Sequence, residues 1–221
     1  GIGYEAGVAI TTGINNTLIG ALAGDALTDA DYNVAIGIQA LGGDTLGSRT
    51  VAVGSGALQV QNFTTATNSY NTAIGYDAGN KVTTGFENTL IGGLAGDALT
   101  DADYNTAVGS LALTADTLGS RTVAIGTGAL ASQNFTTATD TYNVAVGFSA
   151  GTAVTTGIRN SIIGGLAGDA LTDADDNVAI GYAALTTDTM GSKSTAIGQG
   201  ALYTQNFVTA TDSYNTAVGY S

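Results

Sequence analysis

The sequence contains no proline, cysteine, histidine or tryptophan. Without cysteine there are no disulfides, thiolate nucleophiles or zinc–thiolate sites. Without histidine the commonest general base and transition-metal ligand are missing. Basic residues are scarce too: five Lys and Arg stand against 18 Asp and Glu, a formal net charge of −13. Because such a chain repels a phosphate backbone, we expect no nucleic-acid partner. No apolar run reaches the roughly 18 residues of a membrane span, so we expect no direct membrane insertion in this segment.

Glycine is the residue present in excess, at 33 of 221 positions. Collagen is excluded, because it needs glycine at every third position together with abundant proline. A disordered linker is disfavoured as well, since 44% of the residues are hydrophobic and only 10% are charged. The glycines therefore point to a regular folded architecture.

A long internal repeat accounts for this regularity. Ile74-Gly75-Tyr76 restates Ile2-Gly3-Tyr4, and Val146-Gly147 and Val218-Gly219 continue the series at the same interval. The chain thus holds three copies, residues 2–73, 74–145 and 146–217, with the start of a fourth at 218–221. We expect residues 1–221 to be one repetitive segment and a fragment of a longer fibre.

A shorter unit recurs inside each copy, a β-branched residue followed by glycine. Its spacing divides each copy into three 17-residue coils and one 21-residue coil, a length typical of single coils of a parallel β-solenoid. Thirteen coils, each rising about 4.8 Å, would form a rod of roughly 58 Å. The unit includes the branched residues Ile19, Ile36, Val53, Ile74, Ile91, Val108 and Ile125, and the glycines Gly20, Gly37, Gly54 and Gly75.

Three columns explain how the coils would stack. The Ile/Val column is expected to fill an interior stripe, and the glycine behind it to permit a close backbone approach. Three residues before it lies Asn, as at Asn33, Asn71, Asn88 and Asn105. These side chains would either form a ladder from coil to coil or favour a local turn.

The position directly before Ile/Val, mostly Ala, would face outward, and this apolar outer face would need a cover. Symmetric packing of several copies is the usual solution.

The motif Asn105-Thr106-Ala107-Val108-Gly109, continuing to Leu113, resembles the head repeats of trimeric autotransporter adhesins. It is equally similar to repeats of phage tail-fibre proteins, especially those of marine phages. The resemblance covers essentially the whole chain and implies an all-β, homotrimeric, left-handed parallel β-roll. The chain departs from the adhesin heads in its longer coils, its regular and still longer fourth coil and an acidic turn, which favours a phage fibre.

That acidic turn is the candidate metal site. Asp97, Asp101 and Asp103 lie close together in the sequence, and Ca²⁺ takes six to eight oxygen ligands. The alternative is a solvated acidic turn without a cofactor, because no Glu supplies a bidentate ligand and each copy has one such cluster. Asp44, shortly before Arg49, is a further expected partner for charge pairing between coils or chains.

Two other functions have weaker support. Thr-rich segments such as Thr64–Thr67 suggest ice binding, but they recur only once in four coils. Catalysis would need acids in an irregular pocket, whereas nearly every acid has a counterpart at the equivalent position of another copy, so we expect no enzyme and no catalytic residue. The sequence predicts an extracellular structural fibre on a virion or cell surface that spaces or presents a receptor-binding tip. Its partners would be two further copies and an unknown receptor or glycan; the alternative is a bacterial adhesin head binding host matrix or glycans.

Overall fold

The computed structural model describes all residues from Gly1 to Ser221, and it contains strands and turns but no helix. The fold is therefore all-β, and the strands stack in parallel as a β-solenoid of about twelve turns, which confirms that part of the prediction. With no helix, the chain has no helical segment that could cross a membrane.

Twelve strands have three residues each: β1 Thr17–Ile19, β2 Val34–Ile36, β4 Val51–Val53, β6 Thr72–Ile74, β7 Thr89–Ile91, β8 Thr106–Val108, β10 Val123–Ile125, β12 Val144–Val146, β13 Ser161–Ile163, β14 Val178–Ile180, β16 Thr195–Ile197 and β18 Thr216–Val218. Six shorter strands have two residues each: β3 Gly47–Ser48, β5 Thr67–Asn68, β9 Gly119–Ser120, β11 Thr139–Asp140, β15 Gly191–Ser192 and β17 Thr211–Asp212.

The chain forms two compact units, residues 1–105 and 106–221. In the first, the parallel order is β1-β2-β4-β6-β7, and in the second it is β8-β10-β12-β13-β14-β16-β18. Like positions pair, as in Ala35 with Ala52 and Ile36 with Val53. The short strands pair as β3 with β5, β9 with β11 and β15 with β17. Because a parallel ladder uses the N–H groups of successive turns, proline would remove ladder bonds, and none is present.

The structure reverses the two expected faces of the three-residue strands. The middle residue, such as Ala35, Ala52 or Leu90, is fully buried, whereas the flanking residues point outward. The predicted interior stripe of Ile19, Ile36, Val53, Ile74, Ile91, Val108 and Ile125 therefore lies on the outside, and each member is half-buried or exposed. The Ala column, predicted to be outward, belongs to the core.

The narrow interior explains this reversal. Where the middle strand residue is large, as at Leu18, the facing positions are Gly7 and Gly24. A Cβ atom at Gly24 would lie 2.8 Å from Leu18 Cδ2, closer than atoms can pack. Where the strand residue is Ala35, the position six residues further on, equivalent to Gly24, holds the buried Leu41. Large strand residues thus pack against glycines across the core, and a full column of Ile and Val has no room inside.

The glycine after each three-residue strand lies where two turns touch. Gly20 has φ +132° and Gly37 has φ +136°, in the region that L residues rarely adopt. A Cβ atom at Gly37 would lie 2.4 Å from the carbonyl oxygen of Gly54 on the next turn. Steric exclusion, together with backbone strain, therefore fixes this column as glycine.

Candidate functional site

The outward side of the three-residue strands, here called the outer sheet face, is the leading candidate for an interaction site. Its second column holds Ile or Val in all twelve strands. Ile19 is 38% exposed and Ile163 is 40% exposed, so large aliphatic side chains remain accessible along both units. The first column, which begins each strand, mixes Thr, Val and one Ser. The face is therefore predominantly apolar and carries no charged residue.

A ladder of asparagine side chains holds successive turns in register. Asn33 is fully buried; its Nδ2 donates to the Gly47 carbonyl at 2.9 Å, and its Oδ1 accepts from the Thr50 N–H at 2.9 Å. The Asn33 N–H in turn donates to Oδ1 of Asn16 at 2.9 Å. Asn71, Asn88 and Asn105 repeat the contact, each N–H or Oδ1 bonding to the neighbouring Asn. The Asn side-chain amides bond mainly to backbone N–H and C=O groups of the next turn. They thereby supply partners to buried backbone groups that have no backbone partner in the turn.

The ladder is interrupted where Thr50 replaces Asn, and Gln61 spans the gap. The Gln61 side chain is fully buried; its Nε2 donates to Thr50 Oγ1 at 3.2 Å and its Oε1 accepts from Asn71 Nδ2 at 2.8 Å. The same Nε2 donates to Asp44 Oδ2 at 2.6 Å. Gln133 and Gln205 make the corresponding contacts in the other two copies.

Asp44, expected from the sequence to take part in charge pairing between coils or chains, is a fully buried carboxylate. Its Oδ1 accepts from the N–H groups of Gly47 and Phe63, each at 3.0 Å, and its Oδ2 accepts from Gln61 Nε2. Burial raises the pKa of the Asp44 carboxyl above its ordinary value, and these hydrogen bonds offset part of the rise. The expected pairing with Arg49 is wrong, because the Asp44 side chain is sealed in the core and Arg49 is exposed.

Three of the exposed basic residues contact side chains of neighbouring turns. Arg49 Nε donates to Asn68 Oδ1 at 3.1 Å, and its guanidinium lies 5.0 Å from the centre of the Tyr32 ring. Arg121 pairs with Asp140 at 3.4 Å and Lys193 with Asp212 at 2.5 Å. These pairs are exposed on both sides, so solvent screens them and they contribute little to stability.

The acidic turn does not bring its carboxylates together. Asp101 Oδ1 accepts from Thr84 Oγ1 at 2.6 Å, and Asp103 Oδ1 accepts from the Phe86 N–H at 3.0 Å. No group of three acidic side chains, including Asp97, Asp101 and Asp103, is arranged to hold a metal ion. The carboxylates of Asp101 and Asp103 instead connect their turn to the turn before it.

The Thr-rich segment forms an exposed loop on the longer turn. Thr64 and Thr65 are exposed, while the preceding Phe63 is only 6% exposed and inserts into the core. The aromatic ring anchors the loop, and the second copy repeats this with Phe135.

No protein-family model matches the chain, and no curated protein and no solved structure matches it.

Proposed function

We propose that this chain is a segment of a homotrimeric fibre in which three copies pack their outer sheet faces around a common axis. The observation that carries the proposal is the Ile/Val column, which every three-residue strand presents outward. An extended apolar face of this kind marks an interaction surface on a soluble protein. A second and third copy are the occupants that match it at every turn, because they carry the same repeat at the same spacing.

The first column of the outer sheet face fits the same role. Val34, Val51 and Val123 extend the apolar surface, while Thr17 and Thr89 add hydroxyl groups that can bond to a neighbouring chain. Short β-branched side chains allow two sheets to approach closely, and their limited rotamer freedom keeps the entropy cost of burial low. The proposal of three chains and of a left-handed β-roll rests on the resemblance to adhesin and tail-fibre repeats. The two coil lengths, 17 and 21 residues, rest on the spacing of the Ile/Val–Gly pairs.

The net charge of the chain is consistent with a long fibre that does not associate laterally with other fibres. Three copies of a chain with net charge −13 carry −39, and like charge of this size opposes lateral association of neighbouring fibres. The outer sheet face is free of this charge, so repulsion acts on the remaining surface. The fibre would act as an extracellular spacer or adhesive shaft that presents a receptor-binding tip, and we favour a phage tail fibre.

A pair of double variants tests the assignment of the outer sheet face. Ile36→Glu combined with Ile125→Glu places one carboxylate in the face of each unit, where trimerisation would desolvate three like charges together. We expect this protein to lose its trimeric mass while keeping its β circular-dichroism spectrum. The matched control is Thr65→Glu with Thr137→Glu, two exposed loop positions in the same units. A wild-type mass for the Ile variant would refute this interface.

A further inference from the structure

One surface cavity breaks the repeat. It lies in the first copy, has a volume of about 380 Å³, and we call it the amide pocket. This volume is within the roughly 300–1,000 Å³ of small-molecule sites. It is lined by Gly42 and Gly43 and by Asp25, Gln39, Gln59, Val60 and Asn62.

Comparison with the other two copies shows what is special about this place. The position of Gly42 is held by Thr114 in the second copy and by Thr186 in the third. Four more lining positions differ: Gly43 corresponds to Ala115 and Thr187, Gln39 to Leu111 and Ala183, Gln59 to Ala131 and Tyr203, and Val60 to Ser132 and Thr204. At five of the seven lining positions the first copy thus has a residue that neither other copy has, whereas Asp25 and Asn62 recur in all three.

Gly42 leaves a carboxylate without a donor. In the third copy, Thr186 Oγ1 donates a hydrogen bond to Oδ1 of Asp169, the counterpart of Asp25. Gly42 has no hydroxyl, and no hydrogen bond reaches the Asp25 carboxylate, which lines the cavity. A Cβ atom at Gly42 would lie 3.1 Å from Asp25 Oδ1, so a side chain there would occupy the space in front of the carboxylate.

The amides of the pocket are oriented by their own partners. Oε1 of Gln59 accepts from Asn80 Nδ2 at 3.0 Å, which leaves its Nε2 to donate. Oδ1 of Asn62 accepts from Thr45 Oγ1 at 3.0 Å, which leaves its Nδ2 to donate. Val60, 44% exposed, adds an apolar surface to the lining. The pocket therefore offers carboxylate acceptors, amide donors and one aliphatic contact.

This combination selects a chemical class. An anion would meet Asp25 and no basic side chain, and a metal cation would meet one carboxylate instead of the several oxygen ligands it needs. A neutral polyhydroxylated ligand can donate to the carboxylate and accept from the amides, while its C–H face packs on Val60. We propose that the amide pocket binds a neutral saccharide. The inference deepens the proposed function, on which it rests, because it gives the wall of the fibre a glycan contact separate from any tip.

Saturation-transfer NMR with the full chain tests the pocket. The probes are the methyl glycosides of glucose, galactose, mannose and N-acetylglucosamine, with sialic acid as the anionic comparison. We expect at least one neutral probe to bind with a Kd of about 1 mM or tighter. Gly42→Thr restores the residue of the other copies at a position with an ordinary backbone, so the fold tolerates it. It should weaken binding by about tenfold or more, because the hydroxyl occupies Asp25 and its side chain fills the cavity.

The matched control is Thr186→Gly, which frees Asp169 in the third copy but supplies neither glutamine. It should bind as the wild type does. Binding of none of the four neutral probes, undiminished binding by Gly42→Thr, or stronger binding of sialic acid than of the neutral probes would each overturn the proposal. Light scattering on the same samples separates the two proposals. A monomer that binds the saccharide refutes the fibre and retains the pocket, and a trimer that binds none does the reverse.

Discussion

Removal of one ladder amide tests how the turns are held in register. Asn33→Ala deletes the donor to the Gly47 carbonyl and the acceptor for the Thr50 N–H, and both backbone groups belong to buried residues. Each buried group left unpaired costs about 1–3 kcal/mol, so the variant should lose about 2–6 kcal/mol of unfolding free energy. Asn134→Ala is the control, because that side chain is exposed, and we expect a loss within about 0.5 kcal/mol.

Denaturant unfolding at equal protomer concentration measures the total effect, since association contributes to stability in an oligomer. Amide hydrogen exchange gives the local effect: the Thr50 N–H should lose protection in Asn33→Ala, and distant ladder amides should keep theirs. A loss below about 1 kcal/mol, with Thr50 still protected, would refute the argument that these amides replace missing backbone partners.

Three further predictions concern the core, an ion pair and metal dependence. Leu90→Ala should cost about 2–5 kcal/mol, because the buried Leu90 packs against glycines that cannot fill the cavity, whereas Leu111→Ala, at a 41% exposed position, should cost little. The hydrogen bond from Arg159 lowers the pKa of Asp176, so their pair stabilises the fold above the ordinary Asp pKa and this contribution is lost as pH falls through the lowered value. Asp176→Asn should therefore cost at most about 1 kcal/mol at pH 7 and nothing in strong acid, with Glu87→Gln as the control. EDTA should leave the midpoint of thermal unfolding unchanged, since the acidic turns gather no group of three carboxylates.

Each of these has a contrary result. A Leu90→Ala cost below about 1 kcal/mol would show that the core relaxes around the cavity. A constant difference between Asp176→Asn and the wild type down to strong acid would separate that residue's effect from its ionisation. A lower melting temperature in EDTA, restored by Ca²⁺, would show that the protein binds a stabilising cation and would make the acidic turns candidate sites again.

The solenoid could be predicted from the sequence because the Ile/Val–Gly pairs recur at regular intervals. These intervals can be read without knowing in which direction any side chain points. The choice of face could not be made in the same way. Alternation shows that Val34 and Ile36 share one side and Ala35 the other, but both sides are apolar, so composition does not say which is buried. A compensation in side-chain volume between positions six residues apart indicates the buried face: the large Leu18 is followed by Gly24, whereas the small Ala35 is followed by Leu41. Residues that exchange volume in this way share a core.

The polar interior and the amide pocket lay beyond residue patterns for another reason. Asp44 looks like a surface acid in a turn, and only the fold shows that Gln61 lies beside it, one turn further along the chain. The amide pocket joins Asp25, Gln39 and Gln59, which belong to three successive turns. The signal that could have found it was the difference between copies, as at Gly42, where the other two copies have Thr114 and Thr186.

The mass of the protein in solution tests the central claim most directly. Light scattering coupled to size exclusion, on the unmodified chain at neutral pH, should give about 65 kDa, three times the 21.7 kDa of one chain. That value would show that three copies associate, as covering the outer sheet face requires. A folded particle of 21.7 kDa would contradict the account, because the Ile/Val column of all twelve strands would then remain exposed to water.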